Sequence, residues 1–325
     1  MTRKPASSKT VESFFLAGKG SVEYFAVREG RNQLCVSVRD FIEGVWPLCK
    51  QYLDLDVRTD ARENFHQRWW EIYLTYSLLG ASVQLVGRKF RQSKEGGPDL
   101  LARVAEENLW IEAVAPMAGT AADAVRSSGP PKGPKGPKPF PEKEIMLRFQ
   151  QAFSTKVSAH AKYVEKGWIS PSEGYIVALN GALAERGYPC WQRFPRIVSA
   201  LLLGLETERV VVEFDETGSR IRESLYDYEP EIKKKSSAPV GLAAFRDRSN
   251  SCVSAVLYSV SDAYSSSSNN SVKPGGNDQM AREFVLVLNP YSQVPLPPCF
   301  LPAIPRYWVE LQDDGLILHT PPHTR

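Results

Sequence analysis

Two apolar runs stand almost back to back in this chain, Asp99–Val104 (DLLARV) and Leu109–Ala115 (LWIEAVA), with only AEEN (105–108) between them. Runs this short, rich in branched and aromatic residues, predict strands, and a four-residue polar spacer leaves room only for a tight antiparallel turn. Upstream, Asp60 and Glu63 have capping-box spacing and predict the start of an apolar helix that runs to Gly80. A short strand is expected at Ser82–Val86, followed by the polar loop RKFRQSKEGG (88–97). Downstream, the segment Met117–Pro141 carries GPPKGPKGPKPFP (129–141), too dense in glycine and proline for a helix or strand. A helix from about Glu142 to Lys166, closed by Gly167, and a strand at Tyr175–Asn180 complete the pattern. Helix, three strands, helix, strand in that order predict an α/β fold with a mixed central sheet flanked by helices.

No linker is visible after Asn180. An apolar helix at Pro195–Leu203 and strands at Arg209–Phe214, Val253–Val260 and Phe284–Leu288 are expected to extend the same sheet. Between them lie a charged stretch around KKKSS (233–237) and a serine-rich loop, SSSSNNSVKPGGN (265–277); the end of the chain is proline-rich. The expected organisation is a flexible arm over 1–20, an N-terminal extension over 21–59 with a short helix around Asp40–Tyr52, a core over 60–180, and a C-terminal extension over 181–325 packed on that core.

Forty basic against thirty-seven acidic residues leave a net charge of +3, so affinity for nucleic acid would have to come from local clusters. The five cysteines (35, 49, 190, 252 and 299) form no CxxC pair, which speaks against a zinc site or disulfide framework and for a reducing compartment. The opening MTRKPASSKT lacks the apolar core of a signal peptide, and no apolar run approaches a membrane span, so a cytoplasmic protein away from membranes is expected. There is no P-loop, Gly-x-Ser-x-Gly or zinc-ligand spacing, hence no expectation of a nucleotide cofactor.

Glu112 sits between Ile111 and Ala113 in an otherwise apolar strand. Either the strand is half exposed and Glu112 points to solvent, or the carboxylate is buried and needs a partner or a metal. The helix over 142–166 offers a partner. At about 100° per residue, Ile145, Phe149, Ala152, Phe153, Tyr163 and Val164 share one stripe, and Gln151, Ser154, Thr155, Ser158, Lys162 and Glu165 the opposite one. Lys156 and His160 fall on the apolar stripe, with Arg148 at its edge as a reserve cation. A lysine there either snorkels to water or pairs with a carboxylate such as Glu112 or Asp99. Trp69 and Trp70, with Phe65, Tyr73 and Tyr76, read as helix core rather than as a base-stacking platform. His319 and His323 lack the company of other metal ligands.

Gly97–Pro98–Asp99, the gap across the turn and WIEAV (110–114), set in this order of elements, resemble the PD-(D/E)XK nuclease superfamily over about residues 60–180. The resemblance implies a restriction-endonuclease-like αβββαβ core in which Asp99 and Glu112 bind Mg²⁺ (or Mn²⁺), Glu71 on the first helix assists through water or a second metal, and DNA is hydrolysed by water attack. The family pattern places a lysine two residues after the glutamate, where this chain has Val114. Some members carry that lysine on the following helix, which makes Lys156 the candidate that positions the nucleophile. The alternative implied by the lost lysine is an inactive nuclease-like fold that binds nucleic acid or protein; another is an unrelated α/β protein with Glu112 exposed. With DNA as the expected partner, Arg126, Lys132, Lys135 and Lys138 on the loop, together with Arg148, are candidate phosphate contacts. The other reading of that loop is a solvated insertion.

Overall fold

The computed structural model describes residues 12–91, 96–120, 122–126, 140–186, 188, 193–214, 220–268, 277–312 and 315–321. Helices α1 (Val22–Arg28), α2 (Gln33–Cys49), α3 (Val57–Asp60) and α4 (Phe65–Gly80) come first. They are followed by β1 (Gln84–Leu85), β2 (Leu100–Val104), β3 (Glu107–Val114), α5 (Glu142–Glu165) and β4 (Gly174–Asn180). The second half comprises α6 (Arg196–Val198, continued as a π turn over Ser199–Leu203), β5 (Leu205–Phe214), β6 (Arg220–Glu229), β7 (Glu231–Lys233), β8 (Pro239–Gly241) and β9 (Ala255–Ser259). It ends with α7 (Ala263–Ser268), α8 (Asn277–Glu283), β10 (Phe284–Leu288), β11 (Arg306–Gln312) and β12 (Gly315–His319).

Eight strands form one sheet in the order β1-β2-β3-β4-β9-β10-β11-β12. Its centre, β3-β4-β9, is parallel, and β2 and β10 flank it antiparallel, so the sheet is mixed. Every residue of β4 is buried, as expected of a central parallel strand covered on both faces. One apolar layer lies between the sheet and α1, α2 and α4; the other lies between the sheet, α5 and α6. The fold is therefore α/β, a large mixed sheet flanked by helices. Among the described residues no helix is long and apolar enough to cross a membrane.

Helix α4 is enclosed by the sheet on one side and α2 on the other, and nearly all of it is buried. Trp70 Nε1 donates to Ala178 O at 3.1 Å, and Trp69 stacks on Tyr73 at 4.8 Å between ring centres. These aromatics are core, not surface. The helix begins at Phe65 rather than at Asp60, and the expected capping box does not form. Asp60 instead accepts from Arg68 Nε at 2.7 Å and Asn64 Nδ2 at 3.0 Å, tying α3 to α4.

Other expectations are corrected. Residues 12–20 are not a free arm: Phe14 is fully buried, and Glu43 accepts from Ser13 Oγ and from the backbone N–H groups of Phe14 and Phe15. The helix placed around Asp40–Tyr52 is α2, which starts at Gln33 because Asn32 caps it, its side chain accepting from Cys35 N at 2.8 Å. Among the described residues, strands β5 and β6 pair only with each other, outside the main sheet. Ser265–Ser268 end a helix rather than lie in a loop, and the proline-rich C-terminal region supplies β11 and β12. His319 stacks on Trp308 and meets Glu310 Oε2 at 3.1 Å; His323 lies outside the described residues.

The β2–β3 turn is tighter than AEEN suggests. Val104 pairs with Glu107, leaving Ala105 (φ 48°) and Glu106 (φ 68°) as a two-residue connection with both residues in the left-handed region. That conformation favours Asn-Gly. Replacing Ala105–Glu106 by Asn-Gly is expected to stabilise the fold by about 1 kcal/mol, read as a higher urea midpoint with an unchanged slope.

Candidate metal and catalytic centre

Alternation along β3 sends Ile111 and Ala113 to the α4 side and Trp110, Glu112 and Val114 to the α5 side. Glu112 is only 4 % exposed, so the solvent-facing reading of this strand does not apply. Across the hairpin Leu100 pairs with Ile111, which brings Asp99 alongside Glu112. Asp99 Oδ2 accepts from Ala113 N at 2.7 Å, fixing the aspartate to the backbone next to the glutamate.

Helix α5 delivers the cation. Its predicted polar stripe is exposed at Gln151, Ser154, Thr155, Ser158, Lys162 and Glu165, and its apolar stripe packs on the sheet. Lys156 Nζ donates to Glu112 Oε1 at 2.7 Å. Two turns on, Tyr163 Oη donates to Glu112 Oε1 and Oε2 at 3.3 and 3.4 Å. Tyr175 Oη, from β4, donates to Lys156 O at 3.1 Å and anchors the helix at this level. Val114, where the family pattern has lysine, packs with the apolar layer.

Glu71 reaches the region from α4. Its carboxylate accepts from Arg68 Nη1 at 2.7 and 2.8 Å and from Gln67 Nε2 at 2.8 Å. Gln67 also accepts from Ala115 N at 2.8 Å, so α4 is pinned to the end of β3. Gln67, Arg68 and Tyr163 were not singled out from sequence. The spacing of Gln67 and Arg68 from Glu71 places them within reach of it on the same helix, while the contacts of Gln67 with Ala115 and of Tyr163 with Glu112 form only once the helices dock on the sheet.

The charges interact strongly. Burial, then the neighbouring Asp99, push Glu112 up to about 8, against the pull of Lys156. Burial, then Asp99, push Glu71 up to about 7, with Arg68 only partly offsetting them. Burial opposes the charge on Lys156, but Glu112 and then Asp99 outweigh it and raise its pKa, so the ammonium stays protonated.

Among the described residues no group of three or more His, Cys, Asp or Glu side chains is placed to hold a metal ion. What is present is a pair, Asp99 beside Glu112, in which burial and then the neighbouring aspartate raise the proton affinity of Glu112. A hard divalent cation is commonly held by one or two carboxylates with water and phosphate completing the shell. The pair fits such an ion, and a cation would relieve the repulsion. Glu71 is committed to Arg68 and Gln67.

The remaining candidates lie elsewhere. Arg148 turns toward the chain at Gly119 and Asp123, its Nη2 lying 3.4 Å from Asp123 O. Arg126 is exposed, and its carbonyl accepts from Tyr188 Oη at 2.5 Å. Lys132, Lys135 and Lys138 fall outside the described residues. Two large clefts, of about 690 and 820 Å³, are lined by residues other than Asp99, Glu112 and Lys156.

Tyr163→Phe removes two long hydrogen bonds to Glu112, worth about 1 kcal/mol together. The thermal midpoint is therefore expected to fall by no more than a few degrees, which a melting curve checks.

Comparison with models of known protein families, with curated proteins and with solved structures finds no match for this chain.

Proposed function

We propose that the chain is a divalent-metal-dependent phosphodiesterase that hydrolyses DNA, built on a restriction-endonuclease-like core. The observation that carries this reading is the Lys156–Glu112 contact at 2.7 Å with Asp99 fixed to the next backbone N–H. Two carboxylates and an ammonium, drawn from a hairpin and the helix after it, make the charge pattern that phosphodiester hydrolysis requires. The element order α4-β1-β2-β3-α5-β4 supports the same reading.

Asp99 and Glu112 would hold Mg²⁺ or Mn²⁺. When bound, the ion supplies positive charge to a phosphate oxygen and lowers the pKa of a bound water. Lys156, kept protonated by its neighbours, acts by charge and orientation: it holds the attacking water and offsets the negative charge that builds on the phosphoryl oxygens. Its position on the helix replaces the strand lysine missing at Val114. Tyr163 holds the Glu112 carboxylate, and Glu71, through Gln67, holds the end of β3 in register.

The test is cleavage of plasmid, linear and single-stranded DNA with Mg²⁺ or Mn²⁺, with chelator as control. Metal-dependent nicking that disappears in Glu112→Gln supports the reading. DNA binding with no cleavage under either metal replaces it with a binding module.

A further inference from the structure

We propose a second binding site, in the crevice outside the carboxyl ends of β4 and β9, for a small phosphorylated ligand carrying a planar ring, of the nucleotide class. This inference is independent of the nuclease reading. The two strands are adjacent and parallel, with Asn180 paired to Ser259 at their ends. The chain leaving β4 turns to the α5 side, where Ala184, Ile197, Val198 and Leu201 are buried. The chain leaving β9 turns to the α4 side, where Ala263 and Met280 are buried. Neighbouring parallel strands whose continuations part to opposite faces leave a crevice between them, and open α/β sheets bind ligands at such switch points.

The crevice is present as a cleft of about 690 Å³, within the range of small-molecule sites. One wall is apolar, formed by Ala182, Phe194, Val260 and Val285, and suits a ring. The cleft also holds four arginines and three acids, and the acids are engaged within the protein. Glu185 accepts from Arg196 and Tyr258. Glu283 accepts from Tyr73, from Ser261 Oγ at 3.3 Å and from Gln279 Nε2 at 3.1 Å. Asp262 Oδ1 accepts from the backbone N–H groups of Tyr264 and Ser265 at 2.8 and 2.9 Å.

The arginines divide differently. Arg196 is buried between Glu142 and Glu185 and serves the fold. Arg186, Arg193 and Arg282 are exposed at the cleft and have no carboxylate within salt-bridge distance among the described residues. Arg193 lies against the rings of Phe194 and Tyr226, 5.5 Å from each centre, which holds its guanidinium at the mouth. Three guanidiniums without a salt bridge among the described residues, Arg186 feeling the more distant Glu23, stand around an apolar slot and match a phosphate on a ring-bearing body.

Calorimetric titration of the full chain at low salt tests this, using nucleoside mono- and triphosphates, the parent nucleosides, inorganic phosphate and a short single-stranded oligonucleotide as separate titrants. One nucleoside phosphate is expected to bind per chain, at least tenfold tighter than the nucleoside or phosphate alone. Arg186→Glu with Arg282→Glu should weaken it at least tenfold without lowering the melting temperature. Val260→Trp, at an exposed position on the apolar wall, should block it as well. Asp99→Asn should leave it unchanged, which separates this site from the carboxylate pair. No binding at millimolar nucleoside phosphate, or binding that survives both the arginine and the tryptophan variants, overturns the proposal. So does tighter binding of the oligonucleotide than of any mononucleotide.

Discussion

Lys156→Met is expected to lower DNA cleavage by on the order of 10²–10³-fold, while metal and DNA still bind. The methionine keeps the packing of the lysine stem, so the loss comes from the missing charge. Stability should fall too. Glu112 would be left in a site where its side chain is 5 % exposed, with Asp99 beside it and no cation. Removing one partner of a buried pair costs about 3–5 kcal/mol. Glu112 can escape most of that by taking up a proton, so the loss should be smaller at pH 6 than at pH 9. Single-turnover cleavage and urea unfolding at the two pH values measure both effects. Wild-type cleavage in Lys156→Met removes the lysine from the mechanism. An equal loss of stability at both pH values removes the unpaired carboxylate as its cause.

The wild-type protein without divalent metal should lose stability as pH rises from about 4.5 to about 8. Glu71 and Glu112 have folded-state pKa values raised from 4.5 to about 7 and about 8. A carboxylate with a raised pKa binds its proton more tightly in the folded state, so its contribution is complete below about 4.5 and is lost as pH climbs through the folded value. His66 works in the opposite direction. Burial lowers it from 6.5 to about 4, beside Asn180, so its contribution is complete above 6.5 and is lost as pH falls toward 4. Between 4.5 and 6.5 the two glutamates lose more than the one histidine gains, so the three groups together predict a stability maximum near pH 4.5 and a falling limb from there to about 8 that belongs to the two glutamates. Glu112→Gln should flatten that limb. Saturating Mg²⁺ should do the same in the wild type, adding about 2.7 kcal/mol at a hundred times its Kd. Melting curves across pH, with and without Mg²⁺, report this; a falling limb unchanged by both treatments assigns it to other groups.

Much of the candidate centre was legible because it rests on periodicity. The stripe on α5 placed Lys156 facing the sheet, and the β2–β3 alternation placed Glu112 and Asp99 beside one another. Both are properties of single elements and one tight turn. What escaped depends on docking between elements. Gln67 reaches Ala115 N only because α4 lies along the end of β3, whereas the bonds of Gln67 and Arg68 to Glu71 are made within α4. Asp60 looked like a cap but serves as an acceptor for Arg68, since a carboxylate near a helix start has several partners to choose from. Asn32, which does cap a helix, is hard to recognise because the first turn of α2, residues 33–36, reads as a short apolar run and Pro47 stands in its last turn. Strands β11 and β12 follow a proline-rich approach whose composition hides them, and β5 reads as a sheet strand although it pairs only with β6.

Binding of Mn²⁺, followed by calorimetry or by its paramagnetic signal at pH 8.5, tests the Asp99–Glu112 pair most directly. The expected result is a site on the wild-type chain that Lys156→Met retains and that Asp99→Asn and Glu112→Gln each weaken at least tenfold. A wild-type chain that binds no Mn²⁺, or binding that is the same in Asp99→Asn and Glu112→Gln, contradicts a metal centre at this pair.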